Sequence, residues 1–299
     1  LRIVVLKKTC IFASNHSAIV LRIHTFFCST ISFDIMQRLS GLLIFAALMC
    51  IFGAFSLIMP IYAQPTTTAT PPTTYGASAQ IAAPSNTGVA KPSSDLKPGK
   101  ATYKILLEVG GRKIEMTKTT EISDAGKNWK ISETSQSPMG SVSDESEVVK
   151  GTLAPVKRRM KQGPMNIALD YNGSNVKGTV ESPMGNTKID KDVEGALFAD
   201  GTGTSTILAT LPLAEGYKTT FQNFDMMAQA AKQLELAVVG MEEITVPAGK
   251  FMAYKVEVKP VGGDAGGSTI WVAKEGGKLL KERQSIPQMN GAVVTSELQ

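Results

Sequence analysis

Asp190, Asp192 and Glu194 fall at alternate positions, so on a strand their three carboxylates project from one face, an oxygen-rich arrangement that could hold calcium. No glycine-punctuated ligand loop accompanies them, and the run reads as a solvated strand face. Glu242 and Glu243 are adjacent and point to opposite faces of a strand, which removes them as a paired acid and base. Lys157, Arg159 and Lys161 share a strand face, with Arg158 and Met160 on the other. Such a stripe can touch anionic headgroups, but basic strand faces ordinarily keep an edge soluble. Ser94 with Lys97, and Ser174 with Lys177, complete Ser-x-x-Lys, the core of Ser/Lys acyl enzymes. The first pair lies in a proline-rich stretch and the second spans a glycine-containing turn instead of opening a helix. The companion Lys-Thr-Gly is missing, so both read as chance. Ten methionines follow position 63, but only Met226 and Met227 are adjacent, and core filling accounts for them better than a copper site.

What is missing narrows the chemistry further. All three cysteines (Cys10, Cys28, Cys50) and both histidines (His16, His24) precede position 64. The remainder therefore has nothing with which to build a disulfide, a Cys/His zinc site, a cysteine protease, a Ser-His-Asp hydrolase or a histidine acid/base. The formal charge of +5 is just as local: five basic residues against Asp34 alone lie in the first 63, leaving a net +1 after them. A near-neutral body offers no electrostatic footprint for nucleic acid. No cofactor or metal is expected, and no catalytic residue can be assigned.

Of the chain's 299 residues, 36–63 read as a secretory signal peptide: Met36-Gln37-Arg38, an apolar run over 39–61, and a cleavage edge after Ala63. The run is 23 residues long, so an uncleaved N-terminal anchor formed by 39–61 is the alternative. Residues 1–35, with two short apolar runs stopped by Lys7 and Arg22, read as a mis-assigned start region. Between 64 and 98, Pro, Thr, Ala and Ser supply 23 of 35 residues, the composition of a disordered tether. The expected location is thus the periplasm or cell envelope, by export.

Residues 99–299 read as a single β-rich domain. Tyr103, Ile105, Leu107 and Val109 alternate with polar residues, and Gly110-Gly111 turns them into a second run carrying Ile114 and Met116. Trp129 and Ile131 form another strand face, as do Met165, Ile167, Leu169 and Tyr171, followed by Val176 to Val180 after Asn172-Gly173. Ser-Pro-Met-Gly occurs at 137–140 and again at 182–185, two equivalent turns. Helices are expected over 204–211, ahead of Pro212, and over 226–232, capped by Asp225. The fold class is mainly β: a strongly curved antiparallel sheet or open β-barrel with one or two short helices.

Val246-Pro247-Ala248-Gly249-Lys250-Phe251, then Tyr254-Lys255-Val256-Glu257-Val258, then Ile270-Trp271-Val272 and a glycine turn into 278–282, resemble the closing strands of domain of unknown function 3108, a secreted bacterial family. Leu211-Pro212-Leu213 with Gly216-Tyr217 agrees with its pattern. The resemblance implies an open, curved sheet similar to periplasmic lipoprotein carriers that hold acyl chains in the concave face. It brings no catalytic residues. The reading that follows is a non-enzymatic envelope protein binding an apolar ligand, a lipid or acyl chain, against Tyr103, Ile105, Leu107, Trp129, Met165, Ile167, Leu169, Tyr254 and Trp271. The alternative is a structural or protein-interaction module whose strand edges recruit an envelope protein.

Overall fold

The computed structural model describes residues 2–6, 9–14, 17–19, 90–137, 140–226, 228–262 and 266–299. The expected leader at 36–63 and the tether from 64 to 89 lie outside these residues. Near the N-terminus, Arg2–Leu6 (β1), Thr9–Ser14 (β2) and Ser17–Ile19 (β3) pair as a small antiparallel sheet.

The chain from position 99 runs as a meander of eight strands. They are Gly99–Val109 (β4), Arg112–Ala125 (β5), Asn128–Ser137 (β6), Gly140–Val149 (β7), Pro155–Gln162 (β8), Met165–Asn172 (β9), Asn175–Ser182 (β10) and Gly185–Asp192 (β11). A second meander of six follows: Lys218–Asp225 (β12), Ala230–Val246 (β13), Gly249–Pro260 (β14), Gly267–Ala273 (β15), Leu279–Ile286 (β16) and Ala292–Leu298 (β17). Because β17 returns to pair with β4, the two meanders fuse into one 14-stranded antiparallel sheet, open between its edge strands β11 and β12.

Local chemistry sets this register. Gly110 and Gly111 both take positive φ (54° and 74°), as a two-residue hairpin turn between paired Val109 and Arg112 requires. The first and last residues of the two Ser-Pro-Met-Gly copies pair in the same way, Ser137 opposite Gly140 and Ser182 opposite Gly185. Sheet pairing slips by one residue between Val238 and Gly240, the mark of a bulge in β13.

One helix, Thr204–Leu208 (α1), lies in the connection between the edge strands. It is shorter than the expected 204–211, because Thr210 Oγ1 takes the carbonyl of Ile207 (2.7 Å) and Pro212 disfavours helical geometry in the residue before it. The second expected helix, over 226–232, is not formed. Asp225 does accept the amide of Ala228 (3.0 Å), as a cap would, but the chain then enters β13, where Ala230 pairs with Asp225 and Lys232 with Asn223. Pairing along the edge strand β12 outweighs the helix propensity of a few Ala and Gln residues.

Packing also takes in the last part of the expected tether. Ala90 and Leu96 are buried, Ala90 N donates to Thr220 O (3.1 Å), and Asp95 accepts the indole N–H of Trp129 (2.7 Å). The main core cluster joins these residues to α1 and to the buried faces of β13–β16.

Candidate functional site

Eight of the nine residues expected to hold an apolar ligand, Tyr103, Ile105, Leu107, Trp129, Met165, Ile167, Leu169 and Trp271, are buried, none more than 9% exposed. Tyr254 is half-buried opposite Val272 and packs against the core. Trp271 belongs to the same core cluster as Tyr103 and Trp129 but has charged strand neighbours. Its strand neighbours are Lys255 and Lys281, whereas Ile270, Val256 and Glu282 share the opposite face. The indole donates to Glu242 (2.7 Å) and sits beneath the ammonium groups of Lys255 and Lys281, at 5.8 and 5.6 Å from the ring centre. These nine side chains are packed against protein, and none lines the principal cavity.

Between the apolar regions runs a buried polar row that the sequence reading did not separate from its surroundings. On β5, β6 and β7, Thr120, Glu133 and Asp144 stand directly opposite one another, all at most 4% exposed. Two like charges on neighbouring strands repel, and each carboxylate has a cation of its own. Lys118 reaches Glu133 (3.2 Å), which also accepts from Thr120 (3.0 Å). Arg158 on β8 holds Asp144 with two hydrogen bonds, Nη2 to Oδ2 at 2.6 Å and Nε to Oδ1 at 3.2 Å. Burial opposes both cations, but the facing carboxylates win, so Lys118 and Arg158 are held charged, their pKa values above the ordinary ones. A lysine kept protonated has no lone pair to act as base or nucleophile.

The connection between β11 and β12 crosses this row. Asp200 receives the phenol of Tyr171 on β9 (2.5 Å) and the amide of Phe224 on β12 (3.1 Å), thereby tying the two meanders together. Thr202 N donates to Ser146 Oγ on β7 (3.1 Å). Gly201 has φ of +82°, and a Cβ there would lie 2.8 Å from Arg158 Cδ; the chain can pass this close only as glycine. Burial raises the pKa of Asp200, against the pull of Tyr171 and Arg158, and burial also raises that of Tyr171.

Beside α1 this arrangement leaves a cavity of about 180 Å³. Phe221, Phe224, Leu234 and Val258 supply an apolar wall, and Lys118, Glu133 and Glu282 a charged floor. Glu282 keeps part of its surface open, accepts a hydrogen bond from Ser205 of α1, and has its pKa raised by burial against the opposing influence of Lys118. Tyr103 braces the floor from behind: its hydroxyl donates to Leu279 O (3.2 Å), and Lys118 stands 5.6 Å from its ring centre. Polar and apolar groups thus meet in one lining. Its signal in the sequence was faint: Lys118, Glu133 and Glu282 lie among polar residues on both strand faces, and only Ala199-Asp200-Gly201-Thr202-Gly203, small residues around one acid, stands out.

The other groups singled out by spacing are dispersed. Asp190 and Asp192 are exposed on β11, bonded to Asn175 at 3.5 and 2.8 Å, and Glu194 lies beyond the strand. Among the described residues no group of three or more Asp, Glu, His or Cys is placed to hold a metal ion. Lys157 and Arg159 are paired with Glu147 (3.1 Å) and Asp170 (2.6 Å). Met116, Met160, Met165, Met226 and Met289 are buried in packing positions, whereas Met184 and Met252 are exposed.

No curated protein matches the sequence significantly. Three solved structures are similar at low identity. The hypothetical lipoprotein YmcC from Escherichia coli (K12) is 9% identical, with 66% of this chain and 86% of that one covered and a TM-score of 0.28. An exported protein with a YmcC-like fold from Bacteroides fragilis, titled putative, is 11% identical (70% and 97% covered, TM-score 0.26). A DUF1329 family protein from Desulfovibrio piger is 12% identical (67% and 82% covered, TM-score 0.25). The family model described as protein of unknown function (DUF3108) matches residues 100–299, which takes in every strand of the 14-stranded sheet and the whole cavity. On that match, the chain belongs to the DUF3108 family.

Proposed function

We propose that this is an exported, non-enzymatic envelope protein that binds a lipid or acyl-chain ligand through the cavity beside α1. The observation that carries the reading is the pairing of an apolar wall with a buried charged floor in one concavity. At about 180 Å³ the cavity is below the roughly 300–1,000 Å³ usual for drug-sized ligands, so it takes the polar end of the ligand and the first part of its chain. The nine apolar residues expected from the sequence act, in this reading, as the frame that keeps the cavity in shape. Export rests on the residue pattern at 36–63, and no helix among the described residues is long and apolar enough to cross a membrane. Lys118 locked to Glu133, and the lack of Cys and His after position 50, support a binding role over catalysis.

Native mass spectrometry of the full chain purified from its own envelope tests this. Ser268 lines the cavity, and Ser268→Phe fills it. The expected result is a copurified ligand on the unmodified protein, lost in the variant at unchanged Tm. Ligand-free spectra from both would overturn carriage and leave the protein-interaction module in its place.

A further inference from the structure

Charge bookkeeping inside the cavity says which polar end it takes. The described lining holds three acids, Glu133, Asp225 and Glu282, against two bases, Lys118 and Lys232. Lys118 is committed to Glu133 at 3.2 Å, in a bridge whose two side chains are each only 6% exposed. Asp225 and Lys232 offset each other in sign. Glu282 is left with a hydroxyl as its hydrogen-bond donor, from Ser205, and with part of its surface facing the cavity. A carboxyl in a low-dielectric setting either stays neutral or ionises when a cation joins it. Burial raises its pKa against the influence of Lys118 and Ser205, so the nearby positive charge does not fully offset the cost of ionising it.

Resting on the ligand-binding reading above, we infer that the cavity is a receptor for a cationic amphiphile, a primary amine on a hydrocarbon chain, with the ammonium received by Glu282 beside the Lys118–Glu133 bridge. The hydrocarbon lies along Phe221, Phe224 and Val258. An ammonium has three donors and suits a site rich in acceptors: the Glu282 carboxylate, and Gln284 and Ser285 on the same strand. A carboxylate-headed chain would meet Glu282 and Glu133 as like charges. The cations it could reach are Lys118, which already holds Glu133, and Lys232, which Asp225 offsets in sign. A neutral alcohol gains the wall but leaves Glu282 with no cation beyond Lys118, which Glu133 already holds.

Calorimetric titration of the full chain at pH 7 with octylamine, octanol and octanoate, each below its aggregation concentration, reads this directly. Octylamine is expected to bind at least tenfold tighter than octanol, with octanoate weakest. Glu282→Gln, near-isosteric and checked by its Tm, is expected to bring octylamine down to the level of octanol. The charge series on the unmodified protein decides the matter even if the variant fails to fold. Equal or tighter binding of octanol or octanoate overturns the cationic assignment while leaving a ligand site in place. No binding of any of the three, together with a ligand-free native spectrum, overturns both the assignment and the site.

Discussion

The two meanders of the sheet solve the same problem with different materials. In the second, β12–β17, the buried positions are occupied mostly by hydrocarbon: Phe221, Leu236, Val256, Ile270 and Leu280 are each at most 2% exposed, and Glu282 is an acid among them. In the first, β5–β8 turn Lys118, Thr120, Glu133, Asp144, Ser146 and Arg158 toward the interior, all at most 5% exposed. Apolar burial is non-directional and tolerates small displacements, whereas buried ions must be met by specific partners at hydrogen-bonding distance. The first meander is therefore the more exacting half. The cavity forms where the two materials meet.

The largest effect should come from breaking the most buried ion pair. Arg158→Ala leaves Asp144, which is fully buried, without its two donors, and is expected to cost about 3–5 kcal/mol in urea denaturation. Arg158→Met combined with Asp144→Leu turns this stretch of the first meander into a copy of the second. It should recover much of that loss, because both partners of the pair leave together, and Asp200, which also feels Arg158, keeps its donors from Tyr171 and Phe224. A double variant as unstable as the single one would mean that the polar row is specified by more than charge balance.

Asp200→Ala comes next. It removes the acceptor that joins Tyr171 on β9 to the amide of Phe224 on β12, so two buried donors lose their partner, at an expected cost of about 2–3 kcal/mol. Since this residue ties one meander to the other, amide exchange should accelerate at Phe224 and along β12 before it does at β4–β6. Uniform acceleration would show that the halves are not joined there.

The same contrast explains how much could be read from residue order. Where one strand face is hydrocarbon, as in Tyr103, Ile105 and Leu107 or Met165, Ile167 and Leu169, the period of two is visible, and the expected strands and their buried faces are found. Where both faces are polar, as in Ser143-Asp144-Glu145-Ser146 or Lys157-Arg158-Arg159, a buried ion and a solvated one look alike, and the charged floor of the cavity was missed. Trp271 is buried, as its size and apolar ring lead one to expect, but charged groups border it. Those neighbours, Lys255 and Lys281, follow from strand pairing, which depends on partners far along the chain. The helix expected over 226–232 failed for a related reason: local propensity carried no information about the edge strand waiting to pair with it.

Glu282 offers a smaller effect with a definite sign. Burial raises its folded pKa above the unfolded value, so folding takes up a proton. Below the unfolded value the carboxyl is neutral in both states and costs nothing. As pH rises through the folded value the stabilisation is lost, because the buried group must ionise or keep a proton the unfolded chain would release. Glu282→Gln should therefore raise Tm by a few degrees at pH 8, the gain shrinking to nothing near pH 4. A gain that grows toward acid would reverse the sign and place the carboxyl among the stabilising ones.

The smallest effect is expected on the outer surface, where the first meander carries ions in water. Lys104–Glu115 is the shorter bridge at 2.9 Å, with side chains 44% and 63% exposed, whereas the buried Lys118–Glu133 bridge measures 3.2 Å. Distance would rank the exterior pair first. Solvation ranks it last, because water and salt screen an exposed pair and holding two long side chains costs entropy. A double-mutant cycle on Lys104 and Glu115 should return about 0.2–1 kcal/mol and approach zero in 1 M salt. The cycle on Lys118 and Glu133 should give a larger coupling that persists in salt, since each partner is buried beside the other. Equal couplings for the two pairs would mean that the interior of the first meander is wet, and that its ions are held no more tightly than those on its surface.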